Sequence, residues 1–256
     1  MPKKKKINKK TYWVQGFILI IIGMLCYLGY EWWNTSFRSF KFYDEFGIEI
    51  PNRYNIHGID VSRYQSNIQW KLVKDMKVDD IQLHFAFIKA TEGVGNQDKF
   101  FNRNWSRAKD AGVVRGAYHF FLPSKSGKQQ AENFIRTVEI LPGDLPPVLD
   151  VEVTNRQSSK IIRERVKEWL ETVENYYGIT PILYTNIDFY NRHLGDDFDE
   201  YPLWIAHYKQ KERPRIHRNW HFWQHSEEGL VNGIAGQVDF NVFNGDSADF
   251  KKILVH

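Results

Sequence analysis

Two carboxylates stand two residues apart in the apolar run Pro147-Val148-Leu149-Asp150-Val151-Glu152-Val153. Side chains alternate faces along a strand, so Asp150 and Glu152 project to one side, with Cα atoms roughly 6.5 Å apart. Carboxyls that close interact, and one tends to hold a proton the other has lost. A poised acid beside an anion is what breaking a glycosidic bond requires. A half-exposed strand with both acids in water carries the same pattern, so the rest of the chain must decide between the two.

Other acids lie in or beside apolar runs. Asp60 is within 57–62, Glu92 just follows 85–90, and Asp239 is within 237–241. An unpaired buried charge is costly, which favours a shared polar cavity over chance scatter. Structural pairing with arginines or backbone amides is the alternative. Tyr64, Tyr118, Tyr184 and Trp204 occupy similar positions and are expected to line the site, where rings stack on the C–H faces of sugars; core packing is the other use of such side chains. Phe85, Phe87 and Phe222 are assigned to the interior. His119, His207 and His225 form no H-E-x-x-H and no tight cluster, so hydrogen bonding or packing is expected of them and no metal. There is no G-x-S-x-G and no Walker A loop. Hydrolysis by carboxylates needs no cofactor, and none is expected.

The elements that must hold these residues follow a rhythm. Apolar bursts at 57–62, 85–90, 113–121, 147–153 and 181–185 read as strands. Helical stretches at 68–76, ending near 111–112, at 128–140 and at 158–177 lie between them, the last closed by Gly178. After Asn186 come three strand-like runs, 203–208, 221–225 and 237–241, with little helix. The fold class predicted is α/β: a modified TIM-like β/α barrel of about five β/α units followed by three strands. An open doubly wound sheet is the alternative, weakened because no G-x-G-x-x-G follows the first strand. In such barrels functional groups gather at the carboxyl ends of strands. The first and last strands are neighbours in a closed barrel, so Asp60 and Asp239 can share a site with the central pair.

The chain has 256 residues and a formal charge of +4. Six lysines precede the first apolar segment, and removing them leaves −2 for the remainder. The basic balance is thus a tail effect, and no nucleic-acid partner is expected. From Trp13 to Tyr30 there is no charged residue, enough to cross a bilayer as a helix. Lysines before it and Trp32 and Trp33 after it suit a membrane-spanning segment with a cytoplasmic N-terminus. A cleaved signal peptide is the competing reading, although no small-x-small cleavage pattern follows. The expected organisation is a basic cytoplasmic tail (1–12), a transmembrane anchor (13–33), a connector (34–55) and a catalytic domain (56–256) on the periplasmic or extracellular side. Cys26, the single cysteine, lies in the apolar span, so no internal disulfide is available to the domain.

The chain resembles glycoside hydrolase family 25, the Chalaropsis-type lysozymes. The resemblance rests on Gly58-Ile-Asp-Val-Ser-Arg-Tyr-Gln65, Phe87-Ile-Lys-Ala-Thr-Glu-Gly93, Gly116-Ala-Tyr-His-Phe120 and Pro147-Val-Leu-Asp-Val-Glu152. It continues through Ile182-Leu-Tyr-Thr185, Leu203-Trp-Ile-Ala-His-Tyr208, Trp223-Gln224 and Gly233-Ile-Ala-Gly-Gln-Val-Asp-Phe-Asn241, in family order. It implies cleavage of the β-1,4 bond between N-acetylmuramic acid and N-acetylglucosamine in peptidoglycan. It also implies Glu152 as proton donor, Asp150 orienting the 2-acetamido group or stabilising the charge beside it, and Asp60 and Asp239 completing the site. Retention, inversion and substrate assistance stay open, with the Asp-x-Glu pair leaning toward assistance. The anchor and the lack of separate wall-binding repeats depart from many family members and point to local wall remodelling. Two other functions fit the same scaffold: a non-catalytic glycan-binding protein, and a chitinase-like endo-N-acetylglucosaminidase.

Overall fold

The computed structural model describes residues 9–36, 39–210 and 212–256. They divide after Ser39 into two compact units. The first holds one helix, α1 (Lys9–Ser36), whose stretch Trp13–Tyr30 has a mean hydropathy of 1.8 and is exposed throughout. Its 18 residues span about 27 Å at 1.5 Å per residue, near the thickness of a bilayer core. The helix is long and apolar enough to cross a membrane, a character that signal sequences share. Most of the expected basic tail (1–8), and the side chains of Trp32 and Trp33, lie outside the described residues.

The second unit, Phe40–His256, opens with an antiparallel hairpin of β1 (Phe40–Tyr43) and β2 (Ile48–Pro51). Tyr43, Phe46, Ile48 and Ile50 are buried in the main apolar cluster, with the Phe46 ring 5.3 Å from that of Phe240. The segment expected to be a connector therefore contributes its second half to the fold. The boundary expected at residue 56 lies inside the compact unit, because the hairpin turns its apolar side chains onto the barrel.

Then follow β3 (His57–Val61), α2 (Trp70–Asp75), β4 (Lys77–Val78), β5 (Ile81–Glu92), β6 (Asn96–Gln97), α3 (Phe101–Asp110) and β7 (Val114–Phe120). The chain continues with α4 (Gly127–Thr137), β8 (Val148–Asp150), α5 (Ser159–Tyr177), β9 (Ile182–Asn186), α6 (Ile187–Phe189), β10 (Leu203–Ala206), β11 (Phe222–Gly229), β12 (Val238–Phe243) and α7 (Ser247–Ile253). Strands β3, β5, β7, β8, β9, β10 and β11 pair in parallel in that order. β12 runs antiparallel between β11 and β3 and closes the ring. The result is an eight-stranded barrel of five β/α units and three further strands, as the alternation of patterns predicted. The helix expected over 158–177 is present with both its boundaries explained. Ser158 caps its start, accepting from the Ile161 amide, and Gly178 ends it in the left-handed region at φ 67°.

Aromatic rings fill the barrel. Phe87 stacks on Trp204 at 4.2 Å and packs edge-on to Phe222 at 5.1 Å, while Phe85 lies 5.2 Å from Phe222. The assignment of Phe85, Phe87 and Phe222 to the interior holds. Glycines in the flanking strands make room for them: a Cβ at Gly58 would stand 2.5 Å from the Phe85 ring, and one at Gly116 2.5 Å from Phe87. At the amino-terminal end of the parallel strands, Phe250 of α7 packs on Phe85 and Phe243 and plugs the cylinder. The barrel interior at that end is thus a packed floor, and the buried acids Asp60 and Asp150 stand toward the opposite mouth.

Candidate active site

β8 is shorter than its apolar run suggested. It ends at Asp150, which stands between Phe120 and Tyr184 in the sheet. The Val151 amide still donates to the Tyr184 carbonyl at 3.0 Å, and the Val151 side chain is buried in the outer core. Alternation therefore sends Asp150 and Glu152 to the mouth together. Asp150 is 6% exposed, and its Oδ1 has no hydrogen-bond partner among the described residues. Burial, and then the neighbouring Glu152, push its carboxyl well above the usual range. Glu152 is raised too, by burial first and by Asp60 next, while Lys89 works in the opposite direction. Like charges held in a dry site disfavour one another, so both carboxyls are pushed toward their protonated forms.

Antiparallel pairing sets Asp60 of β3 directly opposite Asp239 of β12. The two carboxyls influence each other: Asp239 is pushed up to about 9 by burial and by the charge of Asp60. Asp60 Oδ2 accepts from Gln224 Nε2 and from Asn241 Nδ2, each at 2.8 Å. Burial raises Asp60 overall, and these donors and Asp239 offset part of that rise.

The remaining predicted residues divide. Tyr118 is buried and faces the acids: burial first, then Asp60, Asp150 and Asp239, hold its phenol well above the ordinary value. The Tyr184 hydroxyl donates to Gln224 Oε1 at 2.9 Å. Trp204 is 2% exposed, with one face covered by Phe87 and Tyr184 at 4.4 Å, and its Nε1 donates to Asn241 Oδ1 at 2.7 Å. Its ring forms the floor of the site, not an open stacking surface. Glu92 pairs with Lys89 at 2.7 Å. Tyr64 is 77% exposed on the turn after β3, its ring under the Arg63 guanidinium at 5.3 Å. That turn is tied to the segment before Asp239 by Gln65 Nε2 donating to the Gln237 carbonyl.

Three residues of the mouth were given no role by the sequence reading, Lys89, Gln224 and Asn241, and strand alternation could have found them; Tyr208 joins them there through its hydroxyl, which donates to Gln224 Oε1. Lys89 shares a face with Phe85 and Phe87, Gln224 with Phe222, and Asn241 with Asp239. Amides carry no charge and drew no notice. The Lys89 ammonium lies 4.4 Å from the Phe120 ring centre, and its positive charge acts on both Asp150 and Glu152.

The histidines take other roles. His119 is buried between Thr91 Oγ1 at 2.7 Å and Gln130 Oε1 at 3.2 Å. His207 Nδ1 accepts from the Arg215 amide, and His225 packs among Phe40, Trp223 and Phe240. Among the described residues, no group of three or more His, Cys, Asp or Glu side chains is placed to hold a metal.

Residues 59–234 match the family described as glycosyl hydrolases family 25. The chain is 49% identical over 209 residues to protein YegX of Escherichia coli (strain K12), covering 82% of this chain and 77% of that one. It is 33% identical over 220 residues to Lysozyme M1 of Streptomyces globisporus, covering 80% of this chain and 73% of the relative. Among solved structures, a family 25 glycosyl hydrolase from Bacillus anthracis superposes with a TM-score of 0.74 at 34% identity, covering 80% of this chain and 96% of that one. The shared barrel, the ordered motifs and the extent of these matches lead to one statement: the chain belongs to glycosyl hydrolases family 25 and is a glycoside hydrolase.

Proposed function

We propose that the protein hydrolyses the β-1,4 bond between N-acetylmuramic acid and N-acetylglucosamine in peptidoglycan, with Glu152 as general acid. One observation carries this reading: Asp150 and Glu152 share the mouth of a closed barrel, both raised, with one Asp150 oxygen buried and unbonded. The lysozyme name of the Streptomyces relative supports the substrate.

Glu152 gives its proton to the glycosidic oxygen while the C1–O bond breaks and its electron pair leaves with that oxygen. The carbonyl oxygen of the sugar's 2-acetamido group bonds to C1 and the positive charge spreads over the resulting oxazolinium ring. Asp150 accepts the acetamido N–H and offsets that charge where it grows. A water molecule then yields a proton to Glu152 and its oxygen to C1, which opens the ring with retained configuration. Asp60 supplies the field in which Glu152 holds its proton, and Asp239 completes the acidic site beside it. Tyr64 and Tyr118 are the aromatic surfaces for the sugar, with Tyr184 and Trp204 beneath them and Glu92 acting through Lys89. The helix α1 tethers the barrel to the membrane, with lysines on the cytoplasmic side and the barrel on the other, where wall polymer lies.

Purified peptidoglycan digested by the protein should show muramic acid at the new reducing ends. Glucosamine there would identify a glucosaminidase, and no cleavage would identify a binding protein. Glu152→Gln should fold normally and lose at least ~100-fold in turnover, the scale of a missing general acid. Near-normal activity in that variant removes Glu152 from the role.

A further inference from the structure

Asp60 stands at the centre of a hydrogen-bond arrangement whose direction can be worked out from its ends. Trp204 Nε1 donates to Asn241 Oδ1 at 2.7 Å, and Asn241 Nδ2 donates to Asp60 Oδ2 at 2.8 Å. An indole N–H only donates. It therefore turns the Asn241 amide one way, oxygen to Trp204 and N–H to Asp60. A second chain arrives from the other side. The hydroxyls of Tyr184 and Tyr208 donate to Gln224 Oε1 at 2.9 and 2.6 Å, and Gln224 Nε2 donates to the same Asp60 Oδ2 at 2.8 Å. All these side chains except Tyr208 are buried. Two N–H donors on one oxygen favour the ionised form of Asp60. Asp239, which faces it and is pushed up to about 9, is then the member of the pair that keeps its proton longer.

We infer that Asn241 and Gln224 are positioning residues that fix Asp60 as the anion of the acidic cluster, and that this fixed charge keeps Glu152 protonated until it meets the glycosidic oxygen. The inference rests on Glu152 being the general acid. The surroundings of Glu152 leave that task to Asp60. Asp150 of β8 and Asp239 of β12 are themselves pushed toward their protonated forms, Tyr184 and Tyr208 are phenols far from ionising, and Lys89 of β5 opposes proton retention. The sequence motifs around Trp223-Gln224 and Asn241 thereby acquire a chemical role beyond packing.

Two near-isosteric variants test it, Gln224→Met and Asn241→Leu, with Trp204→Phe as a third that keeps the ring stack and removes only the N–H. Each loses a donor or the group that orients one, so Asp60 takes up a proton more readily and its charge fades. Glu152 should then ionise at lower pH. The alkaline limb of the kcat/KM profile should move down by about one pH unit, the scale of a lost like-charge neighbour. A purely structural role would lower activity at every pH and leave the limb in place. Carboxyl carbon NMR on the parent protein supplies a readout independent of the variants and of turnover: at pH 7 Asp60 should be ionised and Asp239 protonated. An unmoved limb in the folded variants, or a proton on Asp60 at pH 7, overturns the inference. If Glu152→Gln stays active, the general-acid reading fails instead, and the NMR result for Asp60 and Asp239 still stands or falls separately.

Discussion

Two aspartates flank the short strand β8 and are almost equally hidden, Asp144 at 5% exposure before it and Asp150 at 6% at its end. Their surroundings differ completely. Asp144 accepts from Arg115 Nε at 2.8 Å and Nη2 at 3.1 Å, and from the Leu141 amide at 2.9 Å. The same guanidinium donates to the Trp105 carbonyl and lies 3.9 Å from that ring's centre. Both oxygens of Asp144 are met by donors, and the ion pair is closed on itself. Asp150 has no such partner: Lys89, whose positive charge acts on it, is paired with Glu92. Burial therefore pushes its carboxyl up, toward the protonated form. One end of the strand uses its acid to hold neighbouring elements together, and the other leaves its acid free for a substrate, the division of labour expected of the two faces of a β/α barrel.

The comparison is broken most severely by removing the cation. Arg115→Leu leaves Asp144 buried and unmatched, and should lower unfolding free energy by about 3–5 kcal/mol, measured by urea titration. The fraction that folds should keep its turnover number, because the change is confined to the amino-terminal end. Asp150→Asn tests the other end. It removes a carboxyl whose charge burial disfavours, so stability should equal or exceed that of the parent, while turnover falls by about 100-fold or more because the charge that would face the developing cation is gone. A loss of stability resembling that of Arg115→Leu would make Asp150 a structural residue and dissolve the contrast.

How far the sequence exposes these roles depends on the signal each residue carries. The barrel was legible because apolar bursts and amphipathic stretches alternate five times and then stop alternating. The central pair was legible because two charges in an apolar run conflict with burial. Arg115 and Asp144 were not, since each sits where an ordinary surface charge could stand, and only the folded chain brings them within 2.8 Å. Gln224 and Asn241 were missed for a related reason: neutral amides gain meaning from what they bridge, and their partners lie 164 and 181 residues away in the chain. The hairpin over Phe40–Pro51 was blurred by its exposed charges, although its buried residues alternate with them.

A third way of burying a titratable group sharpens the contrast. Asp144 is matched by a cation and Asp150 is pushed toward its protonated form, whereas His225 is pushed toward its neutral one. Its ring nitrogens have no partners among the described residues, and burial, with His57 adding to it, pushes it down to about 3. The sign follows from proton counts. Between its unfolded value near 6.5 and about 3, the unfolded chain binds a proton that the folded chain refuses. This group's share of stability is therefore intact above about 6.5 and is lost as pH falls below it. His225→Phe retains an aromatic ring among Phe40, Trp223 and Phe240 and has nothing to protonate. Urea titrations should show little change at pH 7 and a gain of about 2 kcal/mol relative to the parent at pH 5. The same difference at both pH values would mean that His225 titrates alike in the folded and unfolded chain. Neutrality by proton loss would then not be how this ring tolerates its place beneath the hairpin.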